Sequence, residues 1–204
     1  MSLLKKDQLQ AVSDAINEVE KQTDAELVTV LARQADDYRY IPTLWAAVLA
    51  LLAPGVIWLS GVWLEMLDIL LWQLGVFAVL AAVLRIPFIL FRIIPSSVKY
   101  WRASNLARRQ FLENNLHHTE QESGVLIFVS EAEQYVEIIA DRGIDQHVPA
   151  EQWQSIVDDF IVAIKTGQTQ QGLIACINTC GSLLAEHSPA TSSKNELPNH
   201  LVLI

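Results

Sequence analysis

Residues 41–64 read IPTLWAAVLALLAPGVIWLSGVWL without a single charge, and residues 69–84 follow almost at once as ILLWQLGVFAVLAAVL. About 20 apolar residues in helical form span a bilayer core, and the first stretch meets that length outright. The second is shorter, but Met66 and Leu67 before it and the long stem of Arg85 after it extend its reach. Both are expected to cross a membrane as a hairpin of two helices. Hiding two helices that are apolar on every side inside a water-soluble core would take a larger protein. A cleaved signal peptide would start nearer Met1 and be shorter.

The charges orient the hairpin. Glu65 and Asp68 are the only ones between the two stretches, whereas Lys5, Lys6, Arg33 and Arg39 precede them and Arg85, Arg92, Lys99, Arg102, Arg108 and Arg109 follow. Cations gather on the cytoplasmic side of membrane segments. The turn is therefore expected to face away from the cytosol, with both termini cytoplasmic, as in a bacterial-type inner (plasma) membrane protein. The formal net charge of −9 is unevenly spread: residues 41–109 are net basic, and residues 110–204 carry most of the acids. An acidic body argues against nucleic acid as a partner, because phosphate contacts dominate that affinity. The basic flank suits anionic lipid headgroups, so the lipid bilayer and membrane proteins are the expected partners.

Outside the hairpin the chain reads as a soluble α/β protein. In residues 5–22, Leu9, Val12, Ile16 and Val19 recur at helical spacing, and Glu26 to Leu31 (ELVTVL) is β-branched and apolar, as a strand would be. After the hairpin, Pro87 and Pro95 break any continuous helix, and Tyr100 and Trp101 between Lys99 and Arg102 suit a headgroup region. A helix is expected from about Ala103 to His117. GVLIFVS (124–130) and YVEIIAD (135–141), joined by the polar residues 131–134, read as a β-hairpin. Trp153, Ile156, Val157, Phe160 and Ile164 mark a helix that starts after Pro149 and stops at Gly167, and a last helix is expected over 169–186. Cys176 and Cys180 share one face of that helix and read as two small buried residues in a reducing compartment. Neither soluble arm holds enough elements for a core of its own. Residues 1–40 and 99–187 are therefore expected to form one domain, interrupted by a membrane hairpin and interfacial segment at 41–98 and followed by a flexible tail at 188–204, although Leu201 to Ile204 is apolar enough to dock.

Three stretches resemble the TPM domain family. TDAELVTV is similar to that family's T-x-A-E first strand, and ESGVLIFVSEAEQYVEIIADRGID to its hairpin and following glycine loop. VPAEQWQSIVDDFIVAIKTGQTQQGLIACINTCGSLL is similar to its closing pair of helices, with the G-x-x-x-x-G-L linker at Gly167 to Leu173. The resemblance implies a Rossmann-like αβα sandwich. It also implies a family to which acid phosphatase activity, divalent cation binding and upkeep of membrane complexes have been attributed. The chain departs from the family's G-Y-G-L-E loop: residues 140–145 read ADRGID and 148–151 VPAE, which keeps one of the two glycines.

The chemistry expected of the chain centres on loop 141–151. Asp141, Asp145, Glu151 and Asp158 form a candidate oxygen-ligand set for Ca²⁺ or Mg²⁺, with Arg142 among them and with Asp24, Glu26 and Asp159 within possible reach. Their spacing is not that of an EF-hand loop, and solvated loop acids are the competing reading. A phosphatase would need a nucleophile or metal-bound water beside cationic stabilisers. The acidic part offers Arg142 and Lys165 and little else as cations, and no Cys or Asp nucleophile motif is evident. His117 and His118 are adjacent and should point apart on a helix, which suits a helix end better than a catalytic pair. The sequence thus favours a non-enzymatic, membrane-tethered scaffold or accessory factor for membrane proteins, tuned by a divalent ion. The alternative is a weak metal-dependent phosphatase acting on phosphomonoesters.

Overall fold

The computed structural model describes residues 4–119, 121–191 and 201–204. In chain order these form α1 (Lys6–Glu20), β1 (Leu27–Ala32), α2 (Tyr40–Leu59), α3 (Met66–Val83), α4 (Pro87–Ile93), α5 (Ser96–Glu113), a 3₁₀ turn (Leu116–His118), β2 (Val125–Ser130), β3 (Tyr135–Ala140), α6 (Arg142–Asp145), α7 (Ala150–Lys165), α8 (Thr169–His187) and β4 (Leu201–Leu203). They divide into two compact units, residues 36–99 and the remainder of the chain.

The larger unit is an αβα sandwich on a four-stranded mixed sheet of order β3-β2-β1-β4. β1 lies parallel to β2, from Leu27 opposite Val125 to Ala32 opposite Ser130, and β3 returns antiparallel to β2. Both central strands are buried on both faces, which is why they read as continuous apolar runs. Alternate residues feed two cores. Leu27, Leu31, Val125 and Ile127 face α1, α7 and α8 through Val12, Ile16, Phe160 and Ile177. Val28, Val30, Leu126 and Phe128 face Ala103, Ala107 and Phe111 of α5. Parallel neighbours need a long crossover, and here the connection from β1 to β2 holds the whole apolar hairpin as well as α5.

Local chemistry sets the ends of the elements. The Lys5 backbone N–H donates to Gln8 Oε1 at 2.8 Å and so caps the start of α1. α7 ends at Gly167, whose φ of +77° suits a residue without a Cβ. α5 runs over 96–113 rather than 103–117: it starts directly after Pro95, and left-handed Asn115 (φ +56°) ends it before the 3₁₀ turn. His117 and His118 therefore lie in that turn rather than in an α-helix, and their rings sit 4.0 Å apart instead of diverging.

The tail expected at 188–204 falls partly on residues 192–200, which lie outside the described residues. Before them, the Asp24 N–H and the Thr23 hydroxyl both donate to the Ser188 carbonyl, at 3.1 and 2.5 Å, and Asp24 accepts from the Thr191 N–H at 2.9 Å. After them, Leu201–Leu203 docks as β4, parallel to β1 from Thr29 opposite Leu201.

In the smaller unit, α2 and α3 are long and apolar enough to cross a membrane. The Arg85 guanidinium after α3 donates to Thr43 Oγ1 at the start of α2 at 3.4 Å, so the two helices run antiparallel. α3 buries no residue at all, and Trp58, Trp63 and Met66 are 79%, 98% and 78% exposed. Tyr38, Ile41 and Ile94 form a small core of their own, in which the Tyr38 ring meets the edge of Phe91. Lys99 Nζ donates to the Phe91 carbonyl at 2.6 Å across the Pro95 break between α4 and α5.

Candidate functional site

Loop 141–151 leaves the end of β3 and is stitched to the segment that leads into β2. The Asp141 N–H donates to the Gly124 carbonyl and the Gly143 N–H to the Glu122 carbonyl, each at 2.8 Å. A Cβ on Gly143 would run into the carbonyl oxygens of Gln121 and Glu122, so only glycine permits this approach. Asp141 itself caps α6, its Oδ1 accepting the Arg142 N–H at 2.8 Å.

The other nominated acids part ways. Asp145 lines a groove beside β3, and Glu151 is exposed in the first turn of α7. Asp158 lies two turns along α7 and accepts from Gln154 Nε2 at 2.9 Å, while Asp159 beside it is exposed. Asp24 holds Thr191, and Glu26 is buried at the foot of β1. Among the described residues, no three His, Cys, Asp or Glu side chains gather as a metal ion would require.

The structure assembles polar groups elsewhere that spacing along the chain does not reveal. Glu20, at the end of α1, is pushed up to about 8, first by burial and then by the neighbouring carboxylate of Glu26. It falls four residues after Ile16 on the apolar stripe of α1, a signal that was available in the sequence. At the carboxyl ends of β1 and β2, buried Glu133 accepts from Ser130 Oγ and, at 3.1 Å, from the Ala35 N–H. Beside it lies a crevice of about 290 Å³ lined by Leu9, Arg33, Glu131 and Ile204. Cys176 and Cys180 are buried on one face of α8 as expected, and the Cys180 thiol is held well above its ordinary range by its hydrogen bond with Cys176 and by burial.

The larger concavity runs along β3, about 520 Å³ between α5 on one side and α7 on the other. Tyr100, Tyr135 and Glu137 line one wall, and Trp153, Val157 and Ile161 the other. The Tyr100 and Tyr135 rings stand 5.8 Å apart, and Tyr135 is pushed up to about 12, chiefly by burial. Ser104 Oγ donates to Glu137 Oε1 at 3.4 Å, while Glu137 Oε2 and Trp153 Nε1 are both buried without a hydrogen-bond partner among the described residues. Such orphaned groups are costly, and they mark a place where a partner would be welcomed. Of the expected ligand set, Asp145 lines this concavity, which Trp153 and Tyr135 also line.

An α/β sandwich whose β1–β2 crossover holds an apolar hairpin is the class of protein that this fold defines. Residues 89–183, from within α4 to within α8, match the family model of the TPM domain. Among solved structures, the NMR structure of BA42 protein from the psychrophilic bacterium Bizionia argentinensis is similar to it. The two are 19% identical, with a TM-score of 0.60 over 98% of this chain and 94% of that one, a likeness of fold. No curated protein matches the chain.

Proposed function

We propose that this protein is a membrane-anchored docking module. In this reading α2 and α3 cross a bacterial-type inner membrane, both termini are cytoplasmic, and the TPM domain serves as a non-enzymatic accessory surface for membrane proteins. One observation carries it: the large apolar side chains left open to solvent are concentrated on 40–83, where Leu51, Trp58, Trp63 and Leu67 are each at least 66% exposed. Burying one such side chain is worth about 1.5–3 kcal/mol, so the hairpin as a whole is far more stable in lipid than in water. The absence of cations from residues 60–84, set against those at Arg39, Arg85, Arg92 and Lys99, supports the orientation. A docking role rather than hydrolysis is supported by how the nominated acids are used, Asp141 as a helix cap and Asp158 as the partner of Gln154.

Cysteine placed at Glu65 tests this reading, because the native thiols are buried. A membrane-impermeant maleimide added to spheroplasts is expected to label Glu65→Cys from outside. Affinity purification in mild detergent is expected to bring an integral membrane protein with the chain in fixed ratio. Labelling only after lysis, or a chain that stays in the supernatant once membranes are sedimented, refutes the anchor. Purification of the chain alone from crosslinked membranes refutes the docking role.

A further inference from the structure

β3 is an edge strand, and the other edge of the sheet is taken by β4. In an antiparallel pair the backbone groups of successive residues alternate between the partner strand and the outside. The bond from the Asp141 N–H to the Gly124 carbonyl sets the phase. Tyr135, Glu137 and Ile139 turn their N–H and C=O groups toward β2, and Val136, Ile138 and Ala140 turn theirs outward. Natural sheets blunt such edges with proline, bulges or several charges. β3 reads YVEIIA, with one charge and no proline, and it pairs with β2 without a bulge.

We propose that the groove along β3 accepts an extended, basic segment of a partner protein, which adds to the sheet as a fifth strand and sets a Lys or Arg against Glu137 and Asp145. The inference deepens the docking role above and rests on it. Three observations converge. The outward backbone groups of Val136, Ile138 and Ala140 supply a ladder for main-chain pairing. Tyr100, Tyr135 and Trp153 make aromatic walls on both sides of the strand, and among the described residues Trp153 Nε1 and Glu137 Oε2 have no hydrogen-bond partner. The charge favours a basic occupant: Glu137 and Asp145 line the groove, and among the described residues that line it none is Lys or Arg, Arg108 lying near Tyr135 outside that lining. A second copy of the chain fits less well, since pairing two β3 strands would crowd both Glu137 carboxylates into one short ladder between two acidic domains.

The test uses the full chain in phosphatidylcholine nanodiscs, whose uncharged surface does not attract a cationic peptide, with empty discs as the blank. The probe is a fluorescein-labelled eight-residue peptide that alternates valine with lysine. It is compared with one that alternates valine with glutamate. Saturable anisotropy change is expected for the lysine peptide and at least tenfold weaker binding for the glutamate peptide. Ile138→Pro removes an outward N–H without breaking the β2 ladder and is expected to weaken the lysine peptide at least tenfold. Glu137→Lys, a second variant that leaves the backbone alone, is expected to do the same. Equal binding of the two peptides, no saturable binding, or indifference to both substitutions overturns the proposal. A dimer that Ile138→Pro abolishes hands the groove to a second copy and overturns it too. Failure here with Glu65→Cys still labelled from outside removes the basic strand and leaves the membrane anchor standing, whereas loss of the anchor is read by labelling alone.

Discussion

Replacing Glu20 with glutamine should make the αβα unit more stable in alkali and leave it unchanged below about pH 4. In the folded chain this carboxyl is raised from 4.5 to about 8 by burial and by Glu26, so the native state keeps its proton across a window in which the unfolded chain has lost it. With more protons bound to the native state, stability falls as pH rises between those two values and is fully reduced above the upper one. At about 1.36 kcal/mol per unit the shift sets a ceiling near 5 kcal/mol, and partial solvent access at Glu20 brings the expected loss down to about 2 kcal/mol. Glutamine has nothing to ionise. Urea titrations of wild type and Glu20→Gln in detergent, followed by far-UV circular dichroism, should coincide only below the unfolded value, at about pH 3.5. By pH 9 they should separate by about 2 kcal/mol in favour of the variant, equivalent to roughly 4–8 °C for a domain of this size. An advantage that is the same at both pH values, or absent at pH 9, refutes the buried-acid account.

Gly143→Ala drives a methyl into the carbonyls of Gln121 and Glu122 and should cost about 1–3 kcal/mol, read by the same titration. Glu133→Ala leaves the Ser130 hydroxyl and the Ala35 N–H without their acceptor and should cost about 1–3 kcal/mol. Leu71→Arg, at an exposed position of α3, should raise the cost of membrane insertion by about 2.5–3.5 kcal/mol and shift protein from the membrane to the soluble fraction. Cys176 and Cys180 should resist maleimide at pH 7 for as long as the fold holds and react together in urea, because both are buried and the Cys180 thiol is held protonated.

What the sequence made legible is what local pattern governs. ELVTVL and GVLIFVS announce strands, which the structure covers on both faces, and the spacing from Trp153 to Ile164 announces the face of α7 that reaches the core. The start of α5 was harder to read, because its first turns mix aromatic and basic residues with little periodicity and the decisive feature is Pro95. The acids of loop 141–151 were visible as residues but not as an arrangement. Their directions are set by contacts of Gly143 and Asp141 with residues 121–124, which no spacing within the loop encodes. That β3 is left as an edge depends on Leu201–Leu203 pairing with β1 from the far end of the chain. Glu20 could have been singled out, since an acid on an apolar stripe is a conflict visible in one dimension, but its neighbour Glu26 arrives only through the turn into β1.

The placement of the hairpin within the β1–β2 crossover has a consequence for biosynthesis. β1 leaves the ribosome almost a hundred residues ahead of the strand that will lie beside it, and at about 5–20 residues per second that gap lasts roughly 5–20 s. Throughout that interval LVTVLA is a naked, chargeless segment of high β-propensity, the kind that recruits the wrong neighbour. Slow insertion of α2 and α3 would lengthen the exposure, so the yield of folded protein is tied to the speed of the translocation machinery as much as to the stability of the finished sheet.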